Sequence, residues 1–138
     1  MIEIFVDTSG WGNLIDPTQP YHGIASSIYR SERQKGSKFV TTNYIIAELV
    51  ALMISPLRIP RPKAVSFIEG VKTSPFVEIL NIHAKLDEDA WDLFRKHQDK
   101  AWSLVDCATF AVMKQRGITS ALTSDHHFEQ AGFVRLLK

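Results

Sequence analysis

Lys38-Phe39-Val40-Thr41-Thr42-Asn43-Tyr44-Ile45-Ile46-Ala47-Glu48-Leu49-Val50-Ala51-Leu52 changes its hydrophobic period part-way along. Lys38 to Thr42 is short, β-branched and mostly apolar, which reads as a buried strand. Asn43 can accept a hydrogen bond from a free helix amide, so it is expected as the N-cap of the next element. From Tyr44 to Ser55 the residues Ile45, Ile46, Leu49, Val50, Leu52 and Met53 recur at helical spacing, and Pro56 stops the run. A strand that feeds directly into a helix is the opening of a βαβ unit.

The same alternation extends in both directions. Upstream, Ile2 to Val6 reads as a strand ending at Asp7, and Thr8-Ser9-Gly10 supplies cap and turn chemistry. Trp11 to Ile15 is a short helix before Asp16-Pro17, and His22 to Lys35 is a longer one stopped by Gly36. Downstream, Pro60-Arg61-Pro62 opens a helix over Lys63 to Lys72, because a first helical turn tolerates proline. Then follow a strand (Phe76 to Leu80), a helix (Ala84 to His97), a very apolar helix (Ser103 to Gln115, with Gly117 as its stop) and a strand (Ala121 to Ser124). Asp125 to Gln130 starts a short helix or turn, and Phe133 to Leu137 is the last strand. No repeat, low-complexity stretch or linker interrupts residues 1–138, so one α/β domain is expected, with a parallel sheet covered on both faces.

Bulk properties narrow the class. Sixteen Lys+Arg against 15 Asp+Glu leave a net charge of +1, so any surface for nucleic acid must be local. The single cysteine, Cys107, excludes an intrachain disulfide framework and reads as a small buried hydrophobe. The start, MIEIFVD, lacks a basic segment and a long apolar core, and no apolar run reaches about 18 residues. The expectation is a cytoplasmic protein with no secretory signal and no membrane span.

Four acidic residues stand out. Asp7 and Asp125 each end a strand, and sites in parallel α/β sheets form at the carboxyl ends of strands. Each is also placed to cap the helix after it. Asp106 is a lone carboxylate in the apolar run Ser103 to Met113, where an unpaired charge is costly. Stabilisation by the helix dipole in the first turn is its other reading. Glu48 is a single charge among Ile45, Leu49 and Leu52, or else an exposed residue on the outer stripe of its helix. Together, Asp7, Glu48, Asp106 and Asp125 suit a hard cation, Mg²⁺ or Mn²⁺, held by carboxylates, water and a substrate phosphate. Asp7, Asp106 and Asp125 are the expected metal ligands, and Glu48 completes the cluster or orients the attacking water. No spacing suits zinc, because His126 and His127 are adjacent and Cys107 is alone. Such a pocket with its metal would attract phosphate and activate water.

The segments Val6-Asp7-Thr8-Ser9, Thr42 to Glu48, Trp102 to Cys107 and Leu122 to Phe133, in this order, resemble PIN-domain ribonucleases, a group that includes the VapC toxins of toxin–antitoxin pairs. The resemblance spans positions 2 to about 136. It implies a three-layer α/β/α sandwich with a central parallel sheet of about five strands. It also implies Mg²⁺- or Mn²⁺-dependent cleavage of single-stranded RNA, with Asp7, Glu48, Asp106 and Asp125 as the catalytic cluster and the hydroxyls of Thr8 and Ser124 orienting a carboxylate or water. Further implications are a homodimer and a cognate antitoxin whose peptide covers the acidic cleft, with a basic side chain set against the carboxylates. Trp11, Leu14, Ile15, Tyr21, Ile24 and Ile28 either line an apolar groove for that partner or fill the core.

Other classes fit less well. A phosphatase with an Asp nucleophile would want a second Asp at position 9, which is Ser9. A receiver domain would want an acidic pair ending the first strand and a late Lys, and neither is supplied. A PIN-like RNA- or protein-binding module without catalysis is the alternative, although all four acids are in place. Trp102 can stack on a base or pack under a loop. His126 and His127 read as exposed turn residues or as phosphate contacts, Asp99 as a solvated loop charge or an outer neighbour of the cluster, and Arg58, Arg61 and Lys63 as a solvated basic stretch or a steering patch.

Overall fold

Twelve elements follow one another along the chain in a computed structural model that describes residues 2–138: β1 Glu3–Val6, α1 Thr8–Ile15, α2 His22–Gln34, β2 Lys38–Thr42, α3 Asn43–Ile54, α4 Arg61–Thr73, β3 Val77–Leu80, α5 Ala84–Lys96, α6 Leu104–Arg116, β4 Ser120–Leu122, α7 His127–Gln130 and β5 Val134–Arg135. The strands form a single parallel sheet in the order β3-β2-β1-β4-β5. Helices flank it in the three-layer α/β/α arrangement expected. β1 is central, and Ile4, Phe5 and Val6 are all buried, which is why it reads as an unbroken apolar run and not an alternating one. The order changes direction at β1, with β2 on one side and β4 on the other, so the carboxyl ends of β1 and β4 border the crevice where such sheets bind ligands.

Aromatic rings mark the core. Trp11 of α1 meets Tyr29 and Phe67 edge-on, and Tyr29 stacks on Phe39 of β2 with centroids 4.3 Å apart. Elsewhere Phe110 of α6 is edge-on to both Trp102 and Phe128. Cys107 is fully buried, as a small hydrophobe would be. No helix among the described residues is long and apolar enough to cross a membrane.

Several local expectations change. α1 begins at Thr8 and not at Trp11, because Asp7 caps it by accepting from the Gly10 amide at 2.9 Å, so the expected turn is the first turn of the helix. Asn43 is not the cap of α3. Thr42 is, accepting from the Ile45 amide at 3.2 Å, while the Asn43 side-chain Oδ1 accepts from the Ile82 amide at 2.7 Å and ties α3 to the chain leaving β3. β5 is only two residues long, although the amides of Leu136 and Leu137 continue to bond the carbonyls of Ala121 and Thr123. α6 starts and stops as its sequence predicts, with Ser103 as N-cap and Gly117 at φ 69°, a left-handed backbone that glycine adopts without strain.

At the opposite, amino-terminal edge, Arg116 bridges Glu3 of β1 and Glu78 of β3, passing over β2. All three side chains are partly exposed, which weakens the pairing. Arg116→Ala is expected to cost about 1 kcal/mol, with half of that regained in the background of Glu78→Gln. A double-mutant cycle by urea denaturation measures it.

Candidate active site

Asp7 sits where β1 passes into α1, and its carboxylate is held from both sides. Oδ1 accepts from the Gly10 amide at 2.9 Å and from the Ser9 hydroxyl at 2.8 Å, and Oδ2 accepts from the Thr123 hydroxyl at 2.7 Å. Asp7 is 7% exposed. Burial pushes its carboxyl from the ordinary 3.8 up to about 7, and the nearby charge of Asp125 adds to the rise against the pull of those three donors.

The loop after β4 completes the arrangement. Thr123 Oγ1 accepts from the Asp125 amide at 3.0 Å, and Ser9 Oγ accepts from the Ser124 amide at 3.0 Å, so the ends of β1 and β4 are stitched together through two hydroxyls. Asp125 Oδ1 in turn accepts from the His127 amide at 2.9 Å, an Asx turn that folds His127 back over it. His127 Nδ1 then lies 3.1 Å from Asp125 Oδ1 and 3.3 Å from Asp106 Oδ2.

Asp106 enters from the start of α6. It closes a capping box, with Ser103 Oγ accepting from its amide and its Oδ2 accepting from the Ser103 amide, each at 3.0 Å. The first-turn cap reading therefore holds, and the same carboxylate also faces His127. Its carboxyl is raised, first by burial and then by the charge of Asp125, while the Ser103 amide and His127 oppose the rise. Asp125 thus lies close enough to both Asp7 and Asp106 to disfavour their ionised forms.

Glu48 is placed differently. It is exposed on α3, next to and not within the buried Ile45–Leu49 face, so the outer-stripe reading of its helix position holds. The Thr8 hydroxyl nonetheless donates to its Oε1, which links Glu48 to the residue beside Asp7. The hydroxyls that contact Asp7 are Ser9 and Thr123, not Thr8 and Ser124. Ser124 contributes backbone, its amide to Ser9 and its carbonyl to Arg135.

The sequence also undervalued His127, whose side chain is only 18% exposed. A polar Thr123 closing an apolar strand two residues before Asp125, followed by an Asx-turn sequence, was the available signal. Asp99 is a solvated loop charge, 73% exposed and 3.5 Å from Lys100. Trp102 is buried, its indole N–H donating to Gln130 at 3.0 Å, so it packs and does not present a free face. Arg58, Arg61 and Lys63 are exposed.

The donor set fits a divalent cation. Among the described residues no Lys or Arg pairs with Asp7, Asp106 or Asp125, and the nitrogen group within reach of the last two is an imidazole. Two raised carboxyls, Asp7 and Asp106, each pushed up further by the charge of Asp125 and with no Lys or Arg beside them, are the arrangement a metal ion relieves.

Comparison with known proteins agrees with this geometry. The family model for the PIN domain matches residues 4–134. The 23S rRNA-specific endonuclease VapC20 of Mycobacterium tuberculosis is 32% identical over 133 residues, covering 96% of this chain and 97% of that protein. The crystal structure of M. tuberculosis VapC20, described as a Sarcin-Ricin loop cleaving toxin, aligns with a TM-score of 0.84 over 95% of this chain and 96% of that one. FitAcB from Neisseria gonorrhoeae, at 19% identity, has a TM-score of 0.63 over 96% of this chain and 94% of its own and shares the fold. From the sheet order, the acids at its carboxyl edge and these matches, the chain belongs to the PIN-domain family, as a VapC-like member.

Proposed function

We propose that this protein is a divalent-metal-dependent endoribonuclease and the toxin of a toxin–antitoxin pair. The observation that carries the reading is the gathering of Asp7, Asp106 and Asp125, from three separate segments, at one edge of the sheet with no Lys or Arg partner, with Glu48 attached through Thr8. The similarity to a 23S rRNA-specific endonuclease supports RNA as the substrate, and a single-stranded or loop region is the form expected to reach a recessed pocket.

Asp7, Asp106 and Asp125 would hold Mg²⁺ or Mn²⁺, which when bound supplies charge for the phosphate and lowers the pKa of water. Asp7 must be ionised to serve, and the Ser9, Gly10 and Thr123 donors favour that form. Glu48 is exposed beside the cleft and free to take a proton from an attacking water, with Thr8 fixing its orientation. The divalent ion also explains why a family member keeps a buried carboxylate in an otherwise costly position.

An antitoxin and a homodimer belong to the same proposal. The apolar residues noted on the first helices mostly serve the core: Trp11 and Ile15 are buried, Leu14, Tyr21 and Ile28 pack against the core, and only Ile24 is largely exposed. The antitoxin segment is accordingly expected over the acidic cleft itself, where a basic side chain can pair with the carboxylates.

The direct test is incubation of purified protein with ribosomal and synthetic loop RNAs, with Mg²⁺, Mn²⁺ or chelator. Discrete cuts that require the metal are expected. Uncut RNA under all conditions, with RNA still retained on the protein, would favour the binding-module reading instead.

A further inference from the structure

We infer that His127 is itself a ligand of the divalent ion held by Asp106 and Asp125, and that it biases the pocket toward a first-row transition ion such as Mn²⁺ over Mg²⁺. This rests on the metal-dependent reading above and specifies the metal it uses. Among the described residues, the group whose donor atoms all lie within 4.8 Å of one another is Asp125, His126 and His127, not the four acids. Asp106 lies outside that group, with its Oδ2 approaching one member, His127 Nδ1, at 3.3 Å.

The contacts of Nδ1 are those of a converging donor. The atom is shielded from solvent and makes no in-line hydrogen bond among the described residues, yet carboxylate oxygens stand 3.1 and 3.3 Å away. Two donors about 2.1 Å from one ion and at right angles to each other stand about 3 Å apart. The spacing of Nδ1 to both oxygens is close to that value. All three donors are also held in place independently of any ion. The Asx turn pins His127 to Asp125, the capping box pins Asp106, and Phe128, beside His127, is buried in the core. His126 differs: its side chain is 65% exposed and its Nδ1 is 3.9 Å from Asp125.

An imidazole nitrogen adds affinity for transition ions, whereas Mg²⁺ prefers oxygen donors and retained water. The neighbouring carboxylates keep the site hard enough for Mn²⁺, so the combination discriminates between two ions that an all-oxygen site would treat alike.

Mn²⁺ and Mg²⁺ are the probes, titrated calorimetrically into the full chain, with pulsed electron paramagnetic resonance on the Mn²⁺ form. The wild type is expected to bind Mn²⁺ at least ~10-fold more tightly than Mg²⁺ and to show ¹⁴N coupling from a coordinated imidazole. His127→Ala and the closer-shaped His127→Asn should each lose the coupling and about tenfold in Mn²⁺ affinity, with Mg²⁺ affinity changed less than about twofold. His126→Ala should retain the coupling. Coupling that survives in both His127 variants, or equal losses for the two metals, would overturn His127 as a ligand. Mn²⁺ bound without ¹⁴N coupling, and released by Asp7→Asn, would overturn the inference yet leave the nuclease reading standing. A wild type that binds neither ion would overturn both.

Discussion

Gly10→Ala is expected to lower stability by at least about 3 kcal/mol and to leave little folded protein at 37 °C. Gly10 is in the first turn of α1, against the end of β4. A Cβ there would lie 2.1 Å from the Leu122 carbonyl oxygen, 3.1 Å from its carbonyl carbon and 2.9 Å from Val6 Cγ1. Two of those three atoms are backbone in a paired strand, so the clash cannot be relieved by a side-chain rotation. The helix would have to lift away from the sheet, and the Gly10 amide that holds Asp7 Oδ1 would move with it. Stability and metal binding are therefore expected to fall together. Gly12→Ala, whose Cβ meets only the flexible end of Leu52 at 3.2 Å, is the matched control and should cost far less. Urea denaturation of the two variants decides the matter. Equal midpoints would mean that α1 does not seat on β4 as described.

Asp7→Asn is expected to reduce RNA cleavage at least ~100-fold while making the metal-free protein more stable at neutral to alkaline pH. Asn keeps the cap. Its carbonyl can accept from Gly10 and Ser9, and its amide can donate to Thr123 Oγ1 once that hydroxyl turns. What it removes is a buried charge. The folded pKa of Asp7 lies above its unfolded value, so the folded state holds a proton that the unfolded state has released between about pH 4 and 7. Stability of the metal-free wild type should accordingly fall as pH rises through that window and level off above it, a difference on the order of 4 kcal/mol for this carboxyl. The gain from Asp7→Asn should be largest near pH 8 and vanish toward pH 4. Saturating Mn²⁺ should raise the melting temperature of the wild type but not of the variant. Thermal melts at pH 4, 6 and 8, with and without Mn²⁺, supply all of these comparisons. A variant that melts lower than wild type at pH 8 would show that the Asp7 carboxylate is stabilised by its donors and not strained by burial.

Most of the architecture was readable locally. Hydrophobic period separates strand from helix within five to ten residues, and caps such as Ser103 and stops such as Gly117 act on their own helix termini. The element order, the parallel sheet and the candidacy of Asp7, Asp106 and Asp125 came from these signals, since a carboxylate ending an apolar strand or entering an apolar helix is conspicuous wherever it folds. Glu48 was less legible, because one charge in an apolar helix looks alike whether it borders a cleft or faces water. Asn43 misled for a related reason: Thr42 and Asn43 are both good caps, and the choice was made by a distant amide, that of Ile82.

By itself, then, the sequence determined which residues are acidic neighbours of strand ends and in what order they arrive. Only the tertiary structure decided which atoms hold them. Phe5 lies opposite Ala121 and Val6 opposite Leu122 across β1 and β4, and that register is what brings Asp7 against Thr123, 116 residues away. A slip of one residue would set a different side chain at that place and turn the alternate faces over. The placement of Ser9 against Ser124 and of His127 between Asp106 and Asp125 depends on where the two strands end relative to each other and on where α6 begins beside them. No local pattern encodes these distances. They follow from the packing of the sheet and helices, which sets long-range spacing through the burial of Phe5, Val6, Leu122 and Phe128.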